Sequence, residues 1–431
     1  MTILDIIELK KNKNELTEDQ ISFLVEGFTL GEIKDYQMAA MAMAIRLNGM
    51  TITETVYLTK AMMHSGDVFD LSAIKGIKVD KHSTGGIGDK TSIAVGPIVA
   101  SLGALMAKMS GRGLGFTGGT IDKLESIKGF KTELNSQEFI DQANKIGLVI
   151  ISQSKNIVPA DKKLYALRDV TGTIDSIPLI TSSIMSKKLA TGSDAILLDV
   201  KMGDGAFMKT YAEAEELATW MISIGKELGR DVKAEITNMN CPLGRAIGNK
   251  NEIIEAMEML QGRGPTDFVE LVISTSSNIL VQARLFSNLD EAAKNVKLVI
   301  NNGKAFEKFK EWIITQGGDL DDLLSNNFLD PKYTHQVKTN KAGYMEVTSA
   351  AQFGLAAMRI GAGRTNKDDA IDNDAGIYLN KKTNESVKKG DVLFTLYSSN
   401  EIPENIIKDL NNAYNINDKK IENKIILGRL G

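Results

Sequence analysis

A run without a single charge, TSIAVGPIVASLGALMA from Thr91 to Ala107, does most to limit how this chain can fold. It is short for a membrane span and is interrupted by Gly96, Pro97 and Gly103, so it reads as a buried helix followed by a buried strand. Just before it stands VDKHSTGGIGDKTS, residues 79–92, in which an apolar run ends at Val79 and polar residues surround Gly85, Gly86 and Gly88. Strand, glycine loop, helix, strand is the grammar of a βαβ unit and predicts a mostly parallel sheet. KGIKVDKHS, GALMAKMS, KIGLVIIS, SDAILLDVKMG and VKAEITNMN read as strands, and AEAEELATWMISIGKELG as an amphipathic helix between the last two.

The flanks have a different texture. Residues 1–65 read as helices, with capping boxes at Thr17–Gln20 and Thr51–Glu54 and a methionine-rich packing stripe in DYQMAAMAMAIRLNG. Residues 160–190 look helical again. The expected fold class is α/β plus all-α: a mostly parallel mixed sheet, a discontinuous helical domain and a C-terminal α+β domain. The expected spans are 1–70 and 161–192 for the helical domain, 71–160 and 193–334 for the α/β domain, and 335–431 for the β-rich C-terminal domain. In the last, AGIYLNKKTNESVKKGDVLFTLYSS has hammerhead-like hydrophobic spacing without a carrier lysine in a Met-Lys-Met turn.

Composition narrows the function. A net charge of -4 argues against a broad nucleic-acid surface. Cys241 is the only cysteine, so no intrachain disulfide forms, which fits a reducing, cytoplasmic setting. His64, His82 and His335 are too scattered for a transition-metal cluster. The N-terminus lacks the basic and apolar regions of a secretory signal, and no partner membrane is expected.

The chemistry gathers in two glycine loops and one helix. Around the first loop stand Lys81, Ser83 and Ser92, and a helix starting near Thr91 would point free N–H groups at an anion. The P-loop pattern fails, because Asp89 precedes Lys90 and Thr91 where a glycine is required. The second loop, KMSGRGLGFTGGT, holds Gly113, Gly115 and Gly118 in GxGxxG spacing, which invites a dinucleotide reading. Against it, the first βα turn is the other loop, and Lys108, Ser110 and Thr120 add donors here. Two such loops at neighbouring strand ends would converge on free phosphate or the phosphate end of a sugar phosphate. In residues 161–188, Ser183 and Lys187 lie four apart on one helical face, and Arg168 is the other strong donor.

SGRGLGFTGGTIDKLE, from Ser110 to Glu125, closely resembles the signature of the thymidine and pyrimidine-nucleoside phosphorylase family, and KHSTGGIGD, ADKKLYALRDVT, SSIMSKK and DVKMGDGAFMK resemble further blocks of it. The resemblance covers nearly the whole chain. It implies a transferase that converts a pyrimidine nucleoside and phosphate to free base and pentose 1-phosphate, without an organic cofactor, as a homodimer assembled through the helical domains. Lys81, Ser83, Ser92, Lys108, Ser110 and Thr120 would hold phosphate. Arg168 and Lys187 would stabilise the departing base, Ser183 would read its edge, and His82 would protonate or hydrogen-bond it. Domain closure would bring the two sets together. The runner-up is an anthranilate-type phosphoribosyltransferase, related by its Ser83-Thr84-Gly85-Gly86 loop; a non-catalytic phosphate sensor is the third reading.

The resemblance further implies a K⁺ site at Gly88, Leu243, Ala246 and Glu255. Family members commonly carry threonine at position 90, where this chain has Lys90. An ammonium at about 4 Å from K⁺ would be repelled by roughly 4 kcal/mol at an effective dielectric near 20. Lys90 therefore either turns to solvent or replaces the ion and pairs with Glu255.

Overall fold

The computed structural model describes residues 1–113, 118–153, 156–364 and 369–431. Helices Ile3–Lys11, Glu18–Leu30, Asp35–Asn48 and Ile52–Met63 open the chain. Both expected capping boxes form, Thr17 with Gln20 and Thr51 with Glu54. Glu54 does more than cap, because it also forms a buried pair with Lys10 at 2.8 Å. Met38 and Met41 sit in the bundle core, as the stripe predicts. Helices Pro159–Asp169 and Ile177–Ala190 pack on this bundle through Leu164, Leu179 and Ala190.

The central sheet contains β1 (Lys78–Ser83), β2 (Leu105–Ser110), β3 (Leu148–Ser152), β4 (Ala195–Met202) and β5 (Asp231–Asn238), in the order β5-β4-β1-β2-β3 and all parallel. The uncharged run becomes helix Thr91–Ser101 and β2, as read. β1 ends at Ser83, as the strand reading of KGIKVDKHS has it. Past Val79, Asp80 and Lys81 are buried against countercharges brought by other elements. Connections from β1 lead to β2 and β3 on one side, while β4 and β5 lie on the other, so β1 and β4 flank the switch point where ligands of open α/β sheets bind.

The C-terminal part forms two small antiparallel sheets. It is laced to the α/β part by exchange in both directions. Ala246–Gly248, from the segment after β5, pairs with Gly376–Leu379, and the chain's last strand, Ile426–Leu430, returns to pair antiparallel with β5. Among the described residues, no helix is long and apolar enough to cross a membrane.

Candidate active site

Alternation along β1 sorts its charged residues onto two faces, Asp80 with His82 and Lys81 with Ser83. On the first face, Asp80 accepts hydrogen bonds from two lysines at once. Lys108 Nζ, from β2, donates to Oδ1 at 3.1 Å, and Lys188 Nζ, from helix Ile177–Ala190, donates to Oδ2 at 2.8 Å. Lys108 also donates to the Lys81 carbonyl, and Lys188 to the Met109 carbonyl at 2.8 Å. One carboxylate thereby ties two strands of the sheet to the helical domain.

His82 lies beside this group and feels it. Its imidazole is held well below the ordinary range, first by burial and then by the charges of Lys188, Lys108, Lys187 and Lys81. Burial likewise pushes Lys108 down to about 7, opposed by Asp80 and reinforced by Lys188 and Lys81. A neutral imidazole and crowded ammonium groups at the carboxyl end of β1 form a site whose electrostatics improve when an anion enters.

The second face departs from expectation. Lys81 Nζ lies 2.8 Å from Asp199 Oδ2 and 3.7 Å from Asp89, fully buried, with Lys201 Nζ also 2.8 Å from Asp199. Strand alternation turns its ammonium away from the His82 face and onto the face of Ser83, where it is paired with Asp199 and Asp89. The remaining phosphate candidates sit at element ends. Ser83 ends β1 and accepts from Gly85 N at 3.2 Å; Ser92 is buried in the first turn of helix Thr91–Ser101; Ser110 ends β2; Thr120 opens helix Thr120–Glu125. At the start of the second glycine loop, Gly113 N donates to Asp122 Oδ2 of that short helix at 2.5 Å. Gly115 lies outside the described residues.

On the helical side, Ser183 and Lys187 share a face as their spacing predicts, with Lys187 Nζ donating to Ser183 Oγ at 3.0 Å and Asp161 Oδ2 at 2.5 Å. Arg168 behaves differently. Its guanidinium is buried and donates to the carbonyls of Thr173, Ile174 and Leu179 at 3.2, 2.8 and 3.0 Å. Three of five N–H groups therefore hold the turn that leads into helix Ile177–Ala190, and the other two have no partner among the described residues. Asp80, Lys188, Asp161 and Asp199 were not anticipated as parts of the site. The signal for Asp80 was available, since it shares strand parity with His82; Lys188 was overshadowed by its neighbour Lys187.

The chain is 51% identical to the pyrimidine-nucleoside phosphorylase of Geobacillus stearothermophilus over 402 residues, 93% of each chain. It is 52% identical to that of Bacillus subtilis strain 168 over 410 residues, 94% of each. The chain belongs to the pyrimidine-nucleoside phosphorylase family. Family profiles agree piece by piece: residues 4–66 match the helical bundle domain of a glycosyl transferase family, residues 75–306 its a/b domain, and residues 344–417 the pyrimidine nucleoside phosphorylase C-terminal domain. A solved anthranilate phosphoribosyltransferase from Thermus thermophilus is similar in fold, with a TM-score of 0.59, 16% identity, and coverage of 72% of this chain and 98% of that one. At that identity the likeness is one of architecture alone, and the full-length relatives place the chain with the phosphorylases.

This phosphorylase-family chain departs from the implied K⁺ site. Lys90 does not turn to solvent. Its Nζ lies 3.0 Å from the carbonyl oxygens of both Leu243 and Ala246 and donates to Glu255, fully buried. A potassium ion does not fit among donors already taken by an ammonium.

Proposed function

We propose that this protein catalyses the reversible phosphorolysis of pyrimidine nucleosides such as uridine, thymidine and deoxyuridine, giving free base and (deoxy)ribose 1-phosphate in nucleoside salvage. Family membership supports the reaction. The observation that carries the site is the gathering of Lys108, Lys187 and Lys188 around His82 at the sheet's switch point.

Phosphate would lie over the carboxyl ends of β1 and β2, held by Lys108, Ser83, Ser92, Ser110 and Thr120, with Lys81, on the face of Ser83 but paired with Asp199, adding positive potential. An oxygen of the phosphate attacks C1′ as the glycosidic bond to the base breaks, through a transition state of oxocarbenium character. The base leaves with the bonding electron pair. Hydrogen phosphate loses the proton that the base gains, so the balance closes without another reactant. His82, neutral in the empty site, is suited to donate a hydrogen bond to the leaving base or relay that proton. Arrival of a phosphate dianion would raise its basicity by offsetting the lysines.

Lys187 would face the charge that develops on the base carbonyl, and Ser183 its edge. Arg168 would serve through its two remaining N–H groups while fixing the turn behind them. Closure of the helical domain on the sheet would exclude water. We also take the working unit to be a cytoplasmic homodimer. Leu30, Tyr36 and Leu47, exposed on the N-terminal helices, supply an apolar surface for such pairing, and sedimentation velocity would show the dimer.

The test is direct. Incubated with uridine, the protein should release uracil only when phosphate is present and should form one ribose 1-phosphate per uracil. Uracil release without phosphate would mean hydrolysis and would overturn the reading.

A further inference from the structure

The Lys90 cage is complete as it stands. Three acceptors meet the three N–H groups of one ammonium: Leu243 O, Ala246 O and a Glu255 carboxylate oxygen. The Phe268 ring covers another side, its centroid 5.3 Å from Nζ. Glu255 is itself held in place, with Oε1 accepting from Arg245 N at 2.8 Å and Oε2 from Ala246 N at 3.2 Å.

The surrounding backbone is shaped to this packing. Gly88 has φ +72°, and a Cβ there would lie 2.6 Å from Leu243 O and 3.0 Å from Ala246 O. Gly244 has φ +69°, and a Cβ there would strike the Glu255 carboxylate and lie 2.9 Å from Lys90 Nζ. Both positions need glycine for conformation and for space.

The cage joins two functional segments. Lys90 stands between the first glycine loop and helix Thr91–Ser101, which contains Ser92. Leu243 and Ala246 belong to the segment that leaves β5 and then gives its Ala246–Gly248 strand to the C-terminal sheet. A second bond, Leu243 N to Ile87 O at 3.0 Å, fastens the same two segments. Whatever cation fills this cage sets the position of the loop expected to bind phosphate.

We infer that the Lys90 ammonium is the resident cation of this cage, built covalently into the chain, so that this protein works without any bound monovalent metal ion. An ammonium and a potassium ion are nearly the same size, and both accept carbonyl and carboxylate oxygens as neighbours. A tethered cation is never lost by dilution or replaced by sodium. Retained Glu255 balances its charge, so the substitution leaves the buried site neutral.

The experiment compares potassium chloride with tetramethylammonium chloride at equal ionic strength, reading both melting temperature and phosphorolysis rate. The melting temperature reports on the cage without turnover, so a failure of the phosphorolysis reading would be seen separately. The unmodified protein should melt at the same temperature in both salts and show rates within about twofold. Lys90→Thr should lose at least about tenfold in rate in tetramethylammonium, and should regain rate and melting temperature as potassium is added, with saturation. A rise in the melting temperature of the unmodified protein with potassium, or its several-fold activation, would overturn the inference. So would a folded Lys90→Thr protein indifferent to potassium. Should Lys90→Thr fail to fold, the two measurements on the unmodified protein decide the matter alone.

Discussion

Where the sheet meets the helical domain, Lys108 of β2 and Lys188 of helix Ile177–Ala190 share Asp80, with only 3% and 5% of their side chains exposed. On the helical side, Lys187 is 26% exposed and leans on Asp161 and Ser183. Both arrangements pair lysine with aspartate, yet they do different work. The buried pairs fix ammonium groups before any ligand arrives, at the cost of desolvation, and they make the sheet side stiff and sensitive to pH. The half-exposed lysine keeps its freedom and can follow a ligand or a closing domain. In the proposed reaction, the stiff group would receive the inorganic anion and the adaptable one the developing charge.

The largest effect should come from removing the shared carboxylate. Asp80→Ala leaves two buried ammonium groups without their anion and should cost about 3–5 kcal/mol of stability. Asp161→Ala, whose partner lysine is 26% exposed, should cost less, about 1–2 kcal/mol. Denaturant titration of both variants measures the contrast, and equal losses would erase it.

Next in size is Lys108→Ala. Loss of one charge-assisted contact of about 1.5–3 kcal/mol should lower kcat/KM for phosphate on the order of tenfold to a hundredfold. Lys187→Ala should slow turnover by on the order of tenfold while leaving the KM for phosphate nearly unchanged. Steady-state rates at varied phosphate check both.

The mildest effect is one of pH. Lys108, at about 7 in the empty site, is protonated below that pH and largely neutral above it. A bound anion requires the charged form, so binding above pH 7 must include proton uptake. Sulfate keeps a constant charge in this range and is the better probe. Its inhibition constant should be flat below pH 7 and rise by at most about tenfold per pH unit above it. In Lys108→Arg the rise should vanish, since a guanidinium does not titrate there.

What could be read from sequence follows from range. The capping boxes, the helix-then-strand in Thr91–Ala107 and the shared face of Ser183 and Lys187 depend on residues within a turn or two, where periodicity speaks directly. Lys90 was legible as an anomaly because the family resemblance implies threonine at that position of a cation site that includes Glu255. Other features depend on partners far along the chain. Lys81 finds Asp199 across the sheet, so no local pattern shows that its ammonium is committed. Arg168 looked free because its acceptors are backbone carbonyls, which leave no mark in a sequence. The return of Ile426–Leu430 to β5 is likewise a pairing at long range.

Phosphate calorimetry on Lys108→Ala and Lys187→Ala, side by side with the unmodified protein, tests the division between the two sides most directly. Phosphate affinity should fall at least about tenfold in Lys108→Ala and stay within about twofold in Lys187→Ala. Equal losses in the two variants would contradict it.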